Sequence, residues 1–468
     1  MSEYTLSIDG KQQTAAESFG VVNPATEQVF AQAPACSPAQ LEAAVAGAAR
    51  AFKTWRRDEA GRRQALRNAA DRLQDRAQEI GRTLTLEQGK PLAQAIGEVT
   101  GAAAQLRRMA DMPLPHEVTR DDEKGKIDIC YRPYGVVASI TPWNFPVLIA
   151  MSKIAPALLA GNTMVLKPSP FTPLATLQIG EVLNQVLPPG VLNVVSGGNE
   201  IGALLSAHPE VRKISFTGSV ATGKKVAQAA ATDLKRVTLE LGGNDPAIVL
   251  DDADVTRIAP SLFWSAFHNS GQVCTAVKRV YVPEAKFQQL VAAVAKVARE
   301  VKMGDGLEPD TQLGPINNAM QLERVSELVN DAKQHGATVH AGGERMGRKG
   351  YFFPPTILTD VSDDVAIVAE EQFGPALPLL PYKSLDDALE RANATHFGLG
   401  ASVWSADPAR ATQVAQELDA GTIWVNQHLA LTPKAPFGGA KWSGIGEAGG
   451  RWGIESFMQK HVVNVNRG

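Results

Sequence analysis

Only three cysteines, Cys36, Cys130 and Cys274, occur in 468 residues. They are too few and too scattered for a disulfide framework, and none forms a CxxC metal pattern, which points to reduced thiols in a cytoplasmic protein and to no structural metal. Net charge is nearly absent too: 46 basic against 49 acidic residues leave −3, so there is no general electrostatic case for nucleic acid or an anionic membrane. The most membrane-like stretch, 147–166, is broken by Lys153, Pro156, Gly161 and Asn162 and reads as a buried helix followed by a turn. The opening Met1-Ser2-Glu3-Tyr4 lacks the basic and then apolar regions of a signal peptide. No internal repeat and no low-complexity tract is present. No GxGxxG follows a strand pattern, so the ordinary dinucleotide fingerprint is missing.

What is present suits a large soluble protein. A hydrophobic content of 44% over this length exceeds what one core organises and predicts two large domains with a cleft between them. Ser37-Pro38-Ala39-Gln40 is a helix start with a capping box, and Leu41, Val45, Ala48, Phe52 and Trp55 then recur at helical spacing. From Gly135 onward, short β-rich runs at 136–140, 163–166, 191–195, 213–216 and 237–241 alternate with helical patterns at 146–159, 173–187, 201–207 and 222–231. That alternation predicts an α/β fold whose parallel sheet binds ligand at the carboxyl ends of its strands. A second α/β series runs from about 246 to 442. The polar segment 113–133, flanked by prolines, reads as a projecting arm that pairs with the C-terminal Val462-Val463-Asn464-Val465.

Two residues stand out chemically. Cys274, in Asn269-Ser270-Gly271-Gln272-Val273-Cys274-Thr275, has small and polar neighbours that leave its sulfur accessible, and a thiolate adds to a carbonyl without further activation. A lone cysteine is otherwise an inert buried hydrophobe. Glu240 lies in the apolar run Thr238-Leu239-Glu240-Leu241-Gly242-Gly243, where burying an acid is costly without a partner or a purpose. It is either a structural hydrogen-bond anchor or a general base whose pKa is raised by burial.

With these motifs in order, the chain resembles the aldehyde dehydrogenase superfamily from Asn23-Pro24-Ala25-Thr26 to Pro436-Phe437-Gly438-Gly439. The Glu motif at 239–243, the Cys motif Gly271-Gln272-Val273-Cys274 and the interval between them all match. The resemblance implies a Rossmann-type cofactor domain at 1–112 and 135–242, an α/β catalytic domain at 243–442, and a small β oligomerisation arm at 113–134 and 455–468. It implies a homodimer or homotetramer, with the choice left open. Thr141-Pro142-Trp143-Asn144-Phe145-Pro146 matches the segment whose Asn helps form the oxyanion hole, together with the Cys274 backbone N–H. Phe216-Thr217-Gly218-Ser219-Val220-Ala221-Thr222-Gly223 resembles the turn that presents N–H groups to a pyrophosphate. Lys167 matches the lysine on the adenosine ribose, Glu371 the acid on the nicotinamide ribose, and Phe373 packs beside that ring. Thr141, Trp143, Ser169, Gly197 and Leu241 complete the implied cofactor set.

The implied chemistry is oxidation of an aldehyde with NAD(P). Cys274 attacks, hydride leaves to the nicotinamide, and Glu240 activates the water that hydrolyses the thioester. A CoA-acylating relative would lack the Glu240 equivalent, and a catalytically silent scaffold would not need Cys274, Glu240 and Asn144 together. Pairing of Cys274 with His268 as in papain-like proteases has no geometric support in the sequence. Many NAD-preferring members carry Glu where this chain has Pro170, so NAD is favoured by a modest margin and NADP use stays open. The aldehyde tunnel is expected at Phe145, Leu148, Ile149, Val273, Thr275, Leu429, Leu431 and Phe437. These are mainly apolar, with Lys434 the only nearby cation, which favours aliphatic or aromatic aldehydes over a charged semialdehyde.

Overall fold

The computed structural model describes residues 4–468. Its first sheet has eight strands, in the order Gly444–Ile445, Arg236–Glu240, Val211–Thr217, Val136–Ile140, Thr163–Lys167, Leu192–Val194, Leu6–Ile8 and Lys11–Gln13. The five from Arg236–Glu240 to Leu192–Val194 are mutually parallel, and the flanking pairs are antiparallel. Strand order reverses between Val136–Ile140 and its neighbour Val211–Thr217, so the crossover helices leave to opposite sides there and open a crevice at the carboxyl edge. The helices Pro146–Leu159, Leu174–Asn184, Asn199–Ala207 and Val220–Thr232 fall where the apolar periodicity predicts them. The second stops short of 187, because the chain turns ahead of Pro188-Pro189.

The second sheet has seven strands, ordered Thr338–Ala341, Thr356–Thr359, Ala376–Tyr382, Val277–Pro283, Asp245–Val249, Gly400–Trp404 and Thr422–Val425. All but the first are parallel. Val277–Pro283 and Asp245–Val249 are buried at every residue, as central parallel strands are, with Lys278, Arg279 and Asp245 among the buried side chains. The short strand Gly444–Ile445 crosses back to pair with Arg236–Glu240, so the chain returns to the first sheet after completing the second.

The helix Pro38–Trp55 starts as predicted. Ser37 Oγ accepts from the Gln40 N–H and the Gln40 side chain accepts from the Ser37 N–H, a reciprocal cap worth about 1 kcal/mol. Leu41, Val45, Ala48 and Trp55 are buried, while Phe52 is only half-buried at the edge of the stripe. The arm is a hairpin of His116–Asp122 and Gly125–Pro133, and Met458–Asn466 adds the third strand antiparallel to it, with Val462 opposite Ile129. The expected pairing with the C-terminal valines is therefore present. Among the described residues no helix is long and apolar enough to cross a membrane.

Candidate active site

The carboxyl edge of the first sheet faces the amino edge of the second. Ile140 ends its strand and leads through Thr141-Pro142-Trp143-Asn144 into the helix Pro146–Leu159. Glu98 caps that helix, one carboxylate oxygen accepting from the N–H groups of Val147 and Leu148 at 3.0 Å each. The other oxygen takes Lys90 Nζ at 2.5 Å, and Lys90 also donates to the Asn144 carbonyl at 2.9 Å. These buried contacts fix the backbone at Asn144. Its side-chain Nδ2 donates to the Gln272 carbonyl at 2.9 Å, while Oδ1 has no partner.

Asn144 and the cysteine loop are thus joined directly. That loop runs through three consecutive left-handed residues, Asn269, Ser270 and Gly271, at φ 51°, 56° and 74°. For the first two this costs about 1–2 kcal/mol each. A Cβ on Gly271 would lie 2.3 Å from the Gly374 carbonyl oxygen, so only glycine fits there. The strained turn is held by buried hydrogen bonds: Asn269 Nδ2 to Asn144 O (3.1 Å), Ser270 Oγ to Gly314 O (2.7 Å) and Asn317 N to Gln272 Oε1 (2.8 Å).

Cys274 emerges from this turn partly exposed. Burial pushes its thiol up to about 12; Lys278 opposes that, and Glu371, Asp245 and Glu240 add to it. Lys278 Nζ donates to the carbonyls of Val273 (2.9 Å) and Cys274 (2.7 Å), and His428 Nε2 donates to the Thr275 carbonyl at 2.6 Å.

Glu240 ends its strand with 7% exposure and with neither carboxylate oxygen hydrogen-bonded. Burial raises its pKa, and the ammonium of Lys153 works against that rise. Lys153, alone in an apolar helix, donates to Ser215 Oγ at 3.0 Å. An uncommitted carboxylate in a desolvated position is ready to accept a proton. Activity that depends on ionised Glu240 rises with pH, with a midpoint above the ordinary carboxyl range. Lys153→Met removes the opposing charge and should move that limb to still higher pH. A pH–kcat profile checks it, and an unshifted limb would detach Lys153 from Glu240.

The remaining candidates line the same edge. Ser219 caps the helix Val220–Thr232, with Oγ accepting from the Thr222 N–H, so its first turn presents N–H groups that no helix carbonyl can take. Phe216 lies beneath Gly218, where a Cβ would come within 2.6 Å of the ring. Leu241 underlies Gly223, where a Cβ would meet its side chain at 2.5 Å. Both glycines let the turn and the first helical turn pack directly on these side chains. Buried Lys167, lowered to about 8 by desolvation, donates only to the Pro168 carbonyl at 3.2 Å. Ser169 Oγ accepts from the Phe171 N–H, Gly197 is buried against Ile201, and the buried Thr141 Oγ1 lacks a partner. Glu371 accepts from the Gly243 N–H at 3.1 Å and lies 3.6 Å from Lys278 Nζ. Phe373, at φ 47°, meets Trp143 edge-on at 5.3 Å and ties the two edges together.

The expected tunnel residues divide. Phe145 stacks on His268 at 6.1 Å with Lys90 Nζ 4.0 Å from its ring centroid; Ile149, Leu429 and Phe437 are partly exposed, and Leu148 is exposed. Val273 and Thr275 have buried side chains, and Leu431, expected near the mouth, is exposed. Sequence reasoning missed Lys90, Glu98, Lys153, Lys278 and the buried pair His428–Asp245, 3.6 Å apart. What they share is burial of an ionisable side chain, which their neighbours in sequence do not announce.

The aldehyde dehydrogenase family model matches residues 11–463. The chain is 39% identical to the chloroplastic betaine aldehyde dehydrogenase of Beta vulgaris, covering 97% of this chain and 94% of that protein. It is 39% identical to the mitochondrial succinate-semialdehyde dehydrogenase of Arabidopsis thaliana, over 96% of this chain and 86% of the other. Among solved structures, the NAD+ complex of an aldehyde dehydrogenase from Bacillus cereus superposes with a TM-score of 0.97 at 37% identity, over 99% of this chain and 97% of that one.

Proposed function

The chain belongs to the aldehyde dehydrogenase family, the NAD(P)-dependent aldehyde oxidoreductases, and we propose that it converts aliphatic or aromatic aldehydes to carboxylic acids through a thioester on Cys274. The observation that carries the mechanism is the convergence on one cleft of a partly exposed thiol, an Asn amide bridged to its loop, and an unpartnered buried carboxylate. Cys274, partly exposed, loses its proton to solvent, and its sulfur bonds to the aldehyde carbon. The oxygen left negative is held by the second Nδ2 hydrogen of Asn144 and the Cys274 N–H. NAD, when bound, supplies the hydride acceptor; Lys167, Glu371, Ser219 and the N–H groups after it would hold it. With the hydride gone the carbon–oxygen double bond re-forms as a thioester. Glu240 then takes a proton from water as its oxygen attacks, and the thiolate leaves. An uncommitted base beside the thioester favours hydrolysis over transfer to a second thiol.

The apolar preference rests on charge. Among the expected wall residues none is cationic, Lys90 beneath Phe145 is already paired with Glu98, and Lys434 is exposed. A substrate carboxylate would lose water without gaining a partner, and the Lys90 ammonium on the Phe145 ring disfavours a cationic head there. Each methylene buried contributes about 0.8 kcal/mol, so the four that octanal adds to butanal should raise kcat/KM by up to about two orders of magnitude. A panel of butanal, octanal, benzaldehyde, succinate semialdehyde and betaine aldehyde decides it, and a clear lead for either charged aldehyde overturns the apolar reading.

For the cofactor, Pro170 provides neither an acid to repel a 2′-phosphate nor a cation to attract it. We expect NAD to be preferred modestly. Pro170→Glu should widen the NAD/NADP ratio of kcat/KM by roughly fivefold, the equivalent of about 1 kcal/mol of partly screened repulsion. An unchanged ratio would place selectivity elsewhere. The arm, whose outer strands expose Val118, Val462, Val463 and Val465, supports homo-oligomer formation as a dimer or tetramer. Three unpaired cysteines suit a reducing, cytoplasmic setting.

A further inference from the structure

Outside the catalytic cleft, the arm gathers a second set of reactive side chains. His116 stands directly opposite Cys130 across the hairpin, and His461 stands opposite Cys130 from the other side. Directly opposed residues of an antiparallel sheet project to one face, about 4.5–5.5 Å apart at Cβ, and Asp128, two residues before Cys130, projects to the same face. Three separate strands thus bring two imidazoles, a thiol and a carboxylate into one patch.

The distances are close to those of a coordination sphere. His116 Nε2 lies 2.6 Å from Asp128 Oδ1, and Cys130 Sγ lies 3.8 Å from the same oxygen. The three ligand atoms all fall within 4.8 Å of one another. Tetrahedral zinc, with bonds of about 2.0 Å to nitrogen and oxygen and 2.3 Å to sulfur, separates its ligands by roughly 3.3–3.5 Å. Small side-chain rotations that open the His–Asp contact and draw the sulfur in reach that arrangement. Lys126 Nζ holds the other Asp128 oxygen at 3.0 Å, which orients Oδ1 toward His116 and Cys130.

We propose that the arm carries a binding site for a thiophilic divalent transition-metal ion, of which zinc(II) is the type, held by His116 Nε2, Asp128 Oδ1 and Cys130 Sγ. His461 or a water supplies the fourth ligand. The mixed nitrogen, oxygen and sulfur set selects against magnesium and calcium, which take oxygen. On binding, the Cys130 thiol releases its proton to solvent as the sulfur–metal bond forms. The ion fastens the first strand of the hairpin to the central one without touching the catalytic cleft.

The test is a cobalt(II) titration of the full-length protein after treatment with a chelator. One cobalt(II) per chain should bind with a thiolate-to-metal charge-transfer band in the near ultraviolet, and zinc(II) should displace it. Cys130→Ser should abolish the band and His116→Ala should weaken binding by about tenfold or more. Cys274→Ser should keep it, which separates this site from the catalytic thiol. Aldehyde oxidation should be unchanged in the Cys130 and His116 variants, showing that they fold. No band in the wild-type protein, a band that survives Cys130→Ser, or one that vanishes with Cys274→Ser would each overturn the proposal.

Discussion

Cys274→Ala is expected to abolish aldehyde oxidation, lowering kcat by about three orders of magnitude or more while thermal stability stays near that of the unmodified chain. The reason is connectivity. Neither Cys36, buried with its thiol pushed up to about 12, nor Cys130, out on the arm, stands beside Asn144 and Glu240. Removing a partly exposed sulfur leaves the loop's own ties untouched, since these run through Asn269, Ser270, Gln272 and Lys278. The variant should still bind NAD. Progress curves with octanal and NAD, together with a melting curve, check this, and residual turnover within tenfold of wild type would rule out the covalent route.

Glu240→Gln is expected to separate the two halves of the reaction. The substitution keeps shape and removes the base, and general-base catalysis is worth roughly 10²–10⁴-fold, so steady-state kcat should fall by about that factor. Hydride transfer precedes the water step, so a first turnover of NADH should still appear as a burst. Loss of the burst along with the steady state would contradict the assignment of Glu240 to the water step.

The sequence made much of this site readable because the chemistry is carried by short segments with local signals. The capping box at Ser37, the apolar runs that became central strands, and the Gly271-to-Cys274 motif each depend on neighbours a few residues away. The rest depends on contacts between distant segments. Nothing near Gly444 shows that it pairs beside Glu240, and nothing near Lys153 shows that its ammonium faces that carboxylate. The left-handed turn is announced only by Gly271, whereas Asn269 and Ser270 adopt it because buried hydrogen bonds hold them there. Leu431, placed near the tunnel mouth by the resemblance, is exposed on a surface segment. Side-chain character indicates a preference for burial but not the location of the surface.

The most direct test of the account is mass spectrometry of the Glu240→Gln protein quenched within the burst. Incubation with octanal and NAD should add the mass of one octanoyl group per chain, mapped by peptide digestion to Cys274, and hydroxylamine should remove it as expected of a thioester. An unmodified chain after a full burst of NADH, or an acyl group found on any other residue, would contradict covalent catalysis at Cys274.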